Sequence, residues 1–105
     1  MLKIKDSVDL KELEKFGFYD SIQAIYPRKY LKIINNSRLI EIDYNQLNNL
    51  SIKIIIVDIK KPIWDSYKTK ILYYEYISGR YGDDVVSKYI QDLIKADMVE
   101  KGEEL

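Results

Sequence analysis

The sequence predicts an α+β domain: an antiparallel sheet of about four strands with one N-terminal and two C-terminal helices packed on it. Three observations lead there. Residues 29–44 alternate as a hairpin around Asn35, Asn36 and Ser37, residues 52–60 are apolar on both faces, and residues 84–96 repeat apolar side chains at helical spacing. A chain of 105 residues supports one core and no second one, so 1–105 reads as a single domain.

From the front, "LKIK" alternates and suits an edge strand. In "SVDLKELEKFGF", Asp9 is placed to cap the amide of Glu12 while Glu12 reaches back, a capping box, and Val8 is placed to pack on Leu13. Leu10, Leu13 and Phe16 share a face and Gly17 supplies a left-handed stop, so a short helix is expected over 9–16. "SIQAIY" reads as a strand broken at Pro27. In the hairpin that follows, the asparagine pair tolerates positive φ, and Ile40, Ile42 and Tyr44 face one way while Leu39, Glu41 and Asp43 face the other. One side of the sheet is expected to meet water.

"NQLNNLS" reads as a loop, and "IKIIIVDIK" as a central strand ended by Pro62. Residues 66–78 carry two conflicting signals. Tyr67, Ile71, Tyr74 and Ile77 form a helical stripe with Asp65 or Ser66 as a cap and Gly79 as a stop, yet the aromatic and β-branched content suits a strand; the helix is the expectation. Val85, Val86, Tyr89, Ile90, Leu93 and Ile94 then define a helix over 84–96, capped by Asp83 and Asp84, with "ADMVEK" returning as a short strand and "GEEL" as a frayed tail.

Composition narrows the chemistry. Lys plus Arg and Asp plus Glu both total 17, so no net basic charge favours nucleic acid, and the longest apolar run, "IIIV", is far too short to span a bilayer. The opening residues carry no secretion signal, and a soluble cytoplasmic protein is expected. Without histidine or cysteine there is no Ser-His or Cys-His machinery and no sulfur-built metal site, and no cofactor is expected.

Three constellations remain. Asp43, with Asp58 and Lys60 in "VDIKK", resembles the acid-and-lysine arrangement of PD-(D/E)xK nucleases, in which strand carboxylates hold Mg²⁺; the proline before the first Asp is absent, and strand-end surface charge explains the residues as well. "TKILYYEYI" followed by "DDVVSKYIQDLIKADMVEK" resembles the helix, turn, helix, strand order of a winged-helix DNA-binding domain, with Lys88, Gln91 and Lys95 on the recognition helix; Asp83, Asp84 and Asp92 would repel phosphate there. Tyr26, Tyr30 and Tyr44 beside Arg28, Lys29 and Lys32 suit single-strand stacking, but no RNA-binding signature accompanies them and cross-strand tyrosine packing is the favoured account.

"IKDSVDLKELEKFGF" and "YIQDLIKADMVEK" together resemble segments of uncharacterised small accessory proteins encoded by phages and prophages of low-GC Gram-positive bacteria. The resemblance covers the two ends only. In that group the second segment carries glycine where this chain has Asp97, so Asp97 is expected to be left-handed. The resemblance implies a bacterial host cytoplasm and no catalytic residues.

The segment with Trp64, Tyr67, Tyr73, Tyr74, Tyr76 and Tyr81 holds more aromatic side chains than one helix face hides. Tyr and Trp are enriched at protein contacts, because a rigid ring adds area while its polar atom keeps solubility. The expected function is a non-enzymatic protein-binding module anchored on Trp64, Tyr67, Tyr73, Tyr76 and Tyr81, its partner a host protein, such as a defence component, or a second copy.

Overall fold

β-Branched residues at 33–34, at 40 and 42, and at 54–57 favour extended backbone, and the chain spends them on three consecutive antiparallel strands. The computed structural model describes residues 2–21, 29–43, 53–64, 66–67, 70–78 and 81–102. Its elements are β1 (Leu2–Ile4), a 3-10 helix (Leu10–Phe16), β2 (Tyr19–Asp20), β3 (Lys29–Asn35), β4 (Arg38–Asp43), β5 (Lys53–Ile59), β6 (Ile63–Trp64), β7 (Ile71–Tyr73), β8 (Tyr76–Ser78), α1 (Asp83–Tyr89), α2 (Gln91–Lys95) and β9 (Val99–Lys101). The class is α+β, as the sequence predicts, with antiparallel pairing in every described ladder. Among the described residues the main sheet has seven strands rather than about four, in the order β2-β3-β4-β5-β1-β9 with β8 also on β5, and β6 and β7 form a separate pair. β1 is therefore interior to the sheet, and β9 takes the edge expected for it.

The register of β4 against β5 sets the two faces. Ile40, Ile42, Ile54 and Ile56 pack with Leu13, Phe18, Val86, Ile90, Leu93 and Met98, so the helices cover this side. Leu31, Leu39, Val57 and Ile59 pack with Ile71 and Tyr74 on the other. The alternation in β4 is as expected, but neither of its sides is left to water: Trp64, Ile71 and Tyr74 cover the side of Leu39 and Glu41. Each fully buried isoleucine contributes about 1.5–3 kcal/mol, and β5 supplies them to both faces.

The expected hairpin forms, with a different turn. Asn35 Oδ1 accepts from the Ser37 amide at 2.8 Å and from Ser37 Oγ at 3.0 Å, an Asx turn, and neither asparagine takes positive φ. The N-terminal helix also differs in detail. Its apolar spacing of three, at Leu10, Leu13 and Phe16, is the period of a 3-10 helix, and that is the helix formed. Asp9 Oδ1 accepts from Lys11 N at 3.0 Å, while Glu12 turns to Lys15 at 2.7 Å, so the reciprocal capping box is not made. Gly17 ends the helix at φ 90°, as expected.

The helix expected over 66–78 is corrected to strands. Of its stripe only Ile71 and Tyr74 are buried, while Tyr67 and Ile77 are exposed, because β8 completes the edge of β5 and β7 pairs with β6. Strand content prevails over helical spacing where an open strand edge is available. The last helix is divided at Ile90 (φ −124°, ψ 29°), a break that nothing in the local sequence marks. Its N-cap is Gly82, with Asp83 and Asp84 in the first turn rather than at the cap. Asp97 is left-handed at φ 58°, the conformation that the resemblance implies, and β9 follows. The strand expected in "SIQAIY", the "NQLNNLS" loop, the Asp65 cap, the Gly79 stop and the tail at 103–105 lie outside the described residues.

Candidate functional site

β3 and β4 place Lys29 and Glu41 diagonally across their ladder on the face beneath residues 63–78. Lys29 Nζ donates to Glu41 Oε1 at 2.8 Å, and the hydroxyls of Tyr74 and Tyr76 both donate to Glu41 Oε2. Lys29 Nζ also donates to the Tyr76 hydroxyl at 2.7 Å, and the Tyr74 and Tyr76 rings meet edge-on at 5.1 Å. Glu41 is 0% exposed and Lys29 9%. An isolated buried carboxylate would be expensive, and three donors at one carboxylate offset that cost.

These groups hold their protons. Burial pulls the Lys29 ammonium down, but the Glu41 carboxylate and the Tyr76 hydroxyl outweigh it and leave Lys29 raised. Burial, then the Glu41 charge, pushes the Tyr74 phenol far up, and burial raises Tyr76 as well. At neutral pH the cluster contains an ammonium and two phenols with no readiness to donate or accept. It fastens the 63–78 layer, and Tyr19 adds a third hydroxyl, accepting from Ile71 N at 3.0 Å and donating to Ile71 O at 3.2 Å.

The bulge between β5 and β8 explains how one short strand serves both faces. Tyr76 and Ser78 are opposite the consecutive residues Ile59 and Asp58, leaving Ile77 as the extra residue. Tyr76 thus reaches Glu41 on one side while Ser78 Oγ donates to Asp58 Oδ2 at 3.2 Å on the other. Asp58 also accepts from Tyr81 OH at 2.5 Å and Arg38 Nε at 2.8 Å, and the Arg38 guanidinium lies 4.8 Å from the Tyr81 ring centroid. The Tyr81 hydroxyl first and Arg38 second hold the Asp58 carboxyl below the usual range.

Asp43, Asp58 and Lys60 are not brought together. Asp58 is opposite Arg38 and Asp43 opposite Lys53, so the two carboxylates are five ladder steps apart, roughly 17 Å, and on opposite faces. Lys60 is exposed, with its amide donating to Glu75 O at 2.7 Å. Among the described residues no group of three acidic side chains is placed to hold a metal ion. The first helix of the winged-helix order is replaced by β7 and β8, and the second is split, although Lys88, Gln91 and Lys95 are exposed on it. Of the sheet tyrosines, Tyr30 is buried in the core, Lys29 is committed to Glu41, and Lys32 lies 3.5 Å from Asp92 and over the Phe18 ring; Tyr26, Tyr44 and Arg28 lie outside the described residues.

The remaining feature is the outward side of residues 63–77. Tyr67 is 84% exposed, Ile77 64%, Tyr73 55% and Ile63 52%, and Ile63 is directly opposite Tyr73 in the β6–β7 ladder. The ring of Tyr76 is half exposed although its hydroxyl is engaged, whereas Trp64 and Tyr81 are half-buried, Trp64 against the second core cluster and Tyr81 against the first. Ile63, Leu72 and Ile77 join the exposed set unforeseen, since a helical reading of the segment gives no signal for them. No protein-family model, curated protein or solved structure matches this chain. No helix among the described residues is long and apolar enough to cross a membrane.

Proposed function

We propose that this chain is a non-enzymatic protein-binding module of phage or prophage origin, acting in the bacterial cytoplasm through the outward side of residues 63–77 on a host protein or a second copy. The observation that carries the reading is the cross-strand pair Ile63 and Tyr73, both more than half exposed on a layer whose inner side is latched to the sheet. A rigid support makes exposed rings good anchors, because little ordering entropy is lost when a partner covers them. Exposed Lys60, Lys61 and Glu75 supply a polar rim.

The test is light scattering at micromolar concentration together with capture from host lysate, comparing the native chain with Ile63→Ser/Tyr73→Ser. Self-association or a captured protein that disappears in the double variant, with the far-UV spectrum unchanged, supports the reading. A monomer that captures nothing, or capture indifferent to the variant, overturns it.

A further inference from the structure

The outward side of residues 63–77 has a sign of charge as well as an apolar surface. The chain is neutral overall, yet residues 60–80 contain five basic side chains and two acidic ones. Lys60 and Lys61 are exposed and Lys70 is half-buried. Elsewhere Lys3, Lys5, Lys15, Lys29 and Lys32 are each paired with a carboxylate. Among the described residues, Lys60, Lys61 and Lys70 are held in no ion pair or side-chain hydrogen bond, so their charge is left for a partner to meet.

The β6–β7 register sets where these charges stand. Ile63 is opposite Tyr73 and Trp64 opposite Ile71, with Leu72 as the extra residue. Lys61 comes just before Pro62 and Ile63, and Lys70 directly precedes Ile71, so in this antiparallel pair the two lysines mark opposite ends of the strip formed by Ile63, Leu72 and Tyr73. From Lys61 to Trp64 the extended chain covers roughly 10 Å. Lys60 joins the first end, where its amide donates to Glu75 O at 2.7 Å. Positive charge at both ends of an apolar strip complements a segment with carboxylates on either side of apolar side chains.

We infer that the partner of this surface is an acidic, apolar segment of a different protein, which lays apolar side chains on Ile63, Leu72 and Tyr73 and sets Asp or Glu against Lys60 and Lys61 at one end and Lys70 at the other. The inference rests on the reading of residues 63–77 as a protein-binding surface and adds the chemistry of what binds. A second copy is disfavoured: two-fold pairing through this surface sets lysines against lysines whichever ends meet. Single-stranded nucleic acid is disfavoured too, because Ile63, Leu72 and Ile77 offer no ring for bases to stack on, and the exposed Glu75 repels phosphate.

The experiment is fluorescence anisotropy of a labelled Glu-Leu-Phe-Glu-Leu-Phe-Glu peptide titrated with the full chain. Saturable binding is expected, weakened about tenfold or more for the peptide with Gln in place of Glu and for the Lys60→Glu/Lys61→Glu/Lys70→Glu chain. The Lys60→Arg/Lys61→Arg/Lys70→Arg chain, which keeps the charge, is expected to bind within about twofold of the native one. Ile63→Ser/Tyr73→Ser is expected to lose about tenfold as well, since the apolar strip carries the contact. Absence of saturable binding by the folded chain overturns the inference, as does equal affinity for the Glu and Gln peptides, or tighter binding to oligo-dT or to vesicles of phosphatidylserine and phosphatidylcholine. Lysate capture that needs Ile63 and Tyr73 but is indifferent to the lysine reversal leaves the surface assigned and overturns the acidic partner. A dimer dispersed by Ile63→Ser/Tyr73→Ser gives the surface to a second copy and overturns it too.

Discussion

Lys29 Nζ lies 2.8 Å from Glu41 Oε1 on diagonal positions of the β3–β4 ladder, with Glu41 wholly removed from solvent and bonded in addition to Tyr74 and Tyr76. The pair is enclosed because the 63–78 layer is closed over it. Removing one partner leaves an uncompensated buried charge, whereas removing both leaves only a repacking problem.

Glu41→Leu is therefore expected to cost about 3–5 kcal/mol, a large share of the stability of a domain this size. Lys29→Met combined with Glu41→Leu is expected to recover at least half of that loss. Urea denaturation of the two singles and the double decides; additive losses would show that the two residues do not act as a pair.

The alkaline limb of stability should belong to this cluster. Lys29, Tyr74 and Tyr76 are raised in the folded state, so their contribution is fully present below the unfolded values and is lost as pH climbs through the folded ones. Stability is expected to fall above pH of about 10, where the unfolded chain releases protons that the folded chain retains. Tyr74→Phe should flatten that slope. Phenolate absorbance followed with far-UV circular dichroism checks it: Tyr74 ionising well before unfolding would contradict the burial described.

Two left-handed positions make opposite demands. Gly17 is at φ 90°, and a Cβ there would lie 3.3 Å from Lys32 Cε, so Gly17→Ala is expected to cost about 1–2 kcal/mol. Asp97 holds φ 58° and accepts from Lys5 Nζ at 2.7 Å. Glycine relieves that backbone but loses an exposed ion pair, leaving Asp97→Gly within about 0.5 kcal/mol of the native chain. Asp97→Val should cost about 1–2 kcal/mol, since a β-branched side chain is poorly accommodated there. Thermal midpoints of the three variants give the order.

Ile63 and Ile71 lie in paired strands with opposite exposures, and stability should separate them. Ile63→Ser is expected to change stability by no more than about 0.5 kcal/mol, while Ile71→Ala should cost about 2–5 kcal/mol through the cavity it leaves. Similar losses at both positions would mean that the outward side is not open surface.

Local signals were sufficient where one segment's own residues decide its form. The apolar run at 54–57 announces a strand covered on both sides, and Leu10, Leu13, Phe16 and Gly17 mark a helix and its stop. At 66–78 the same kind of signal failed. Tyr67, Ile71, Tyr74 and Ile77 satisfy a helical stripe, but the free length of β5 beyond β1 offered β8 a ladder, and pairing there outweighed spacing. The exposed Ile63, Leu72 and Ile77 followed from that change and were hidden with it. The alternation that sets Glu41 on one side with Leu39 was legible, while the cover over that side was not.

By itself, the sequence determined the α+β class, the β3–β4 hairpin and the central position of β5. All of these depend on side-chain periodicity and backbone preference within a few neighbours. Only the tertiary structure decided that Glu41 is enclosed and that Asp43 and Asp58 lie on opposite faces. Each of these depends on which distant strand arrives at an edge and in what register, and the Tyr74 hydroxyl that completes the Glu41 site comes from 33 residues away.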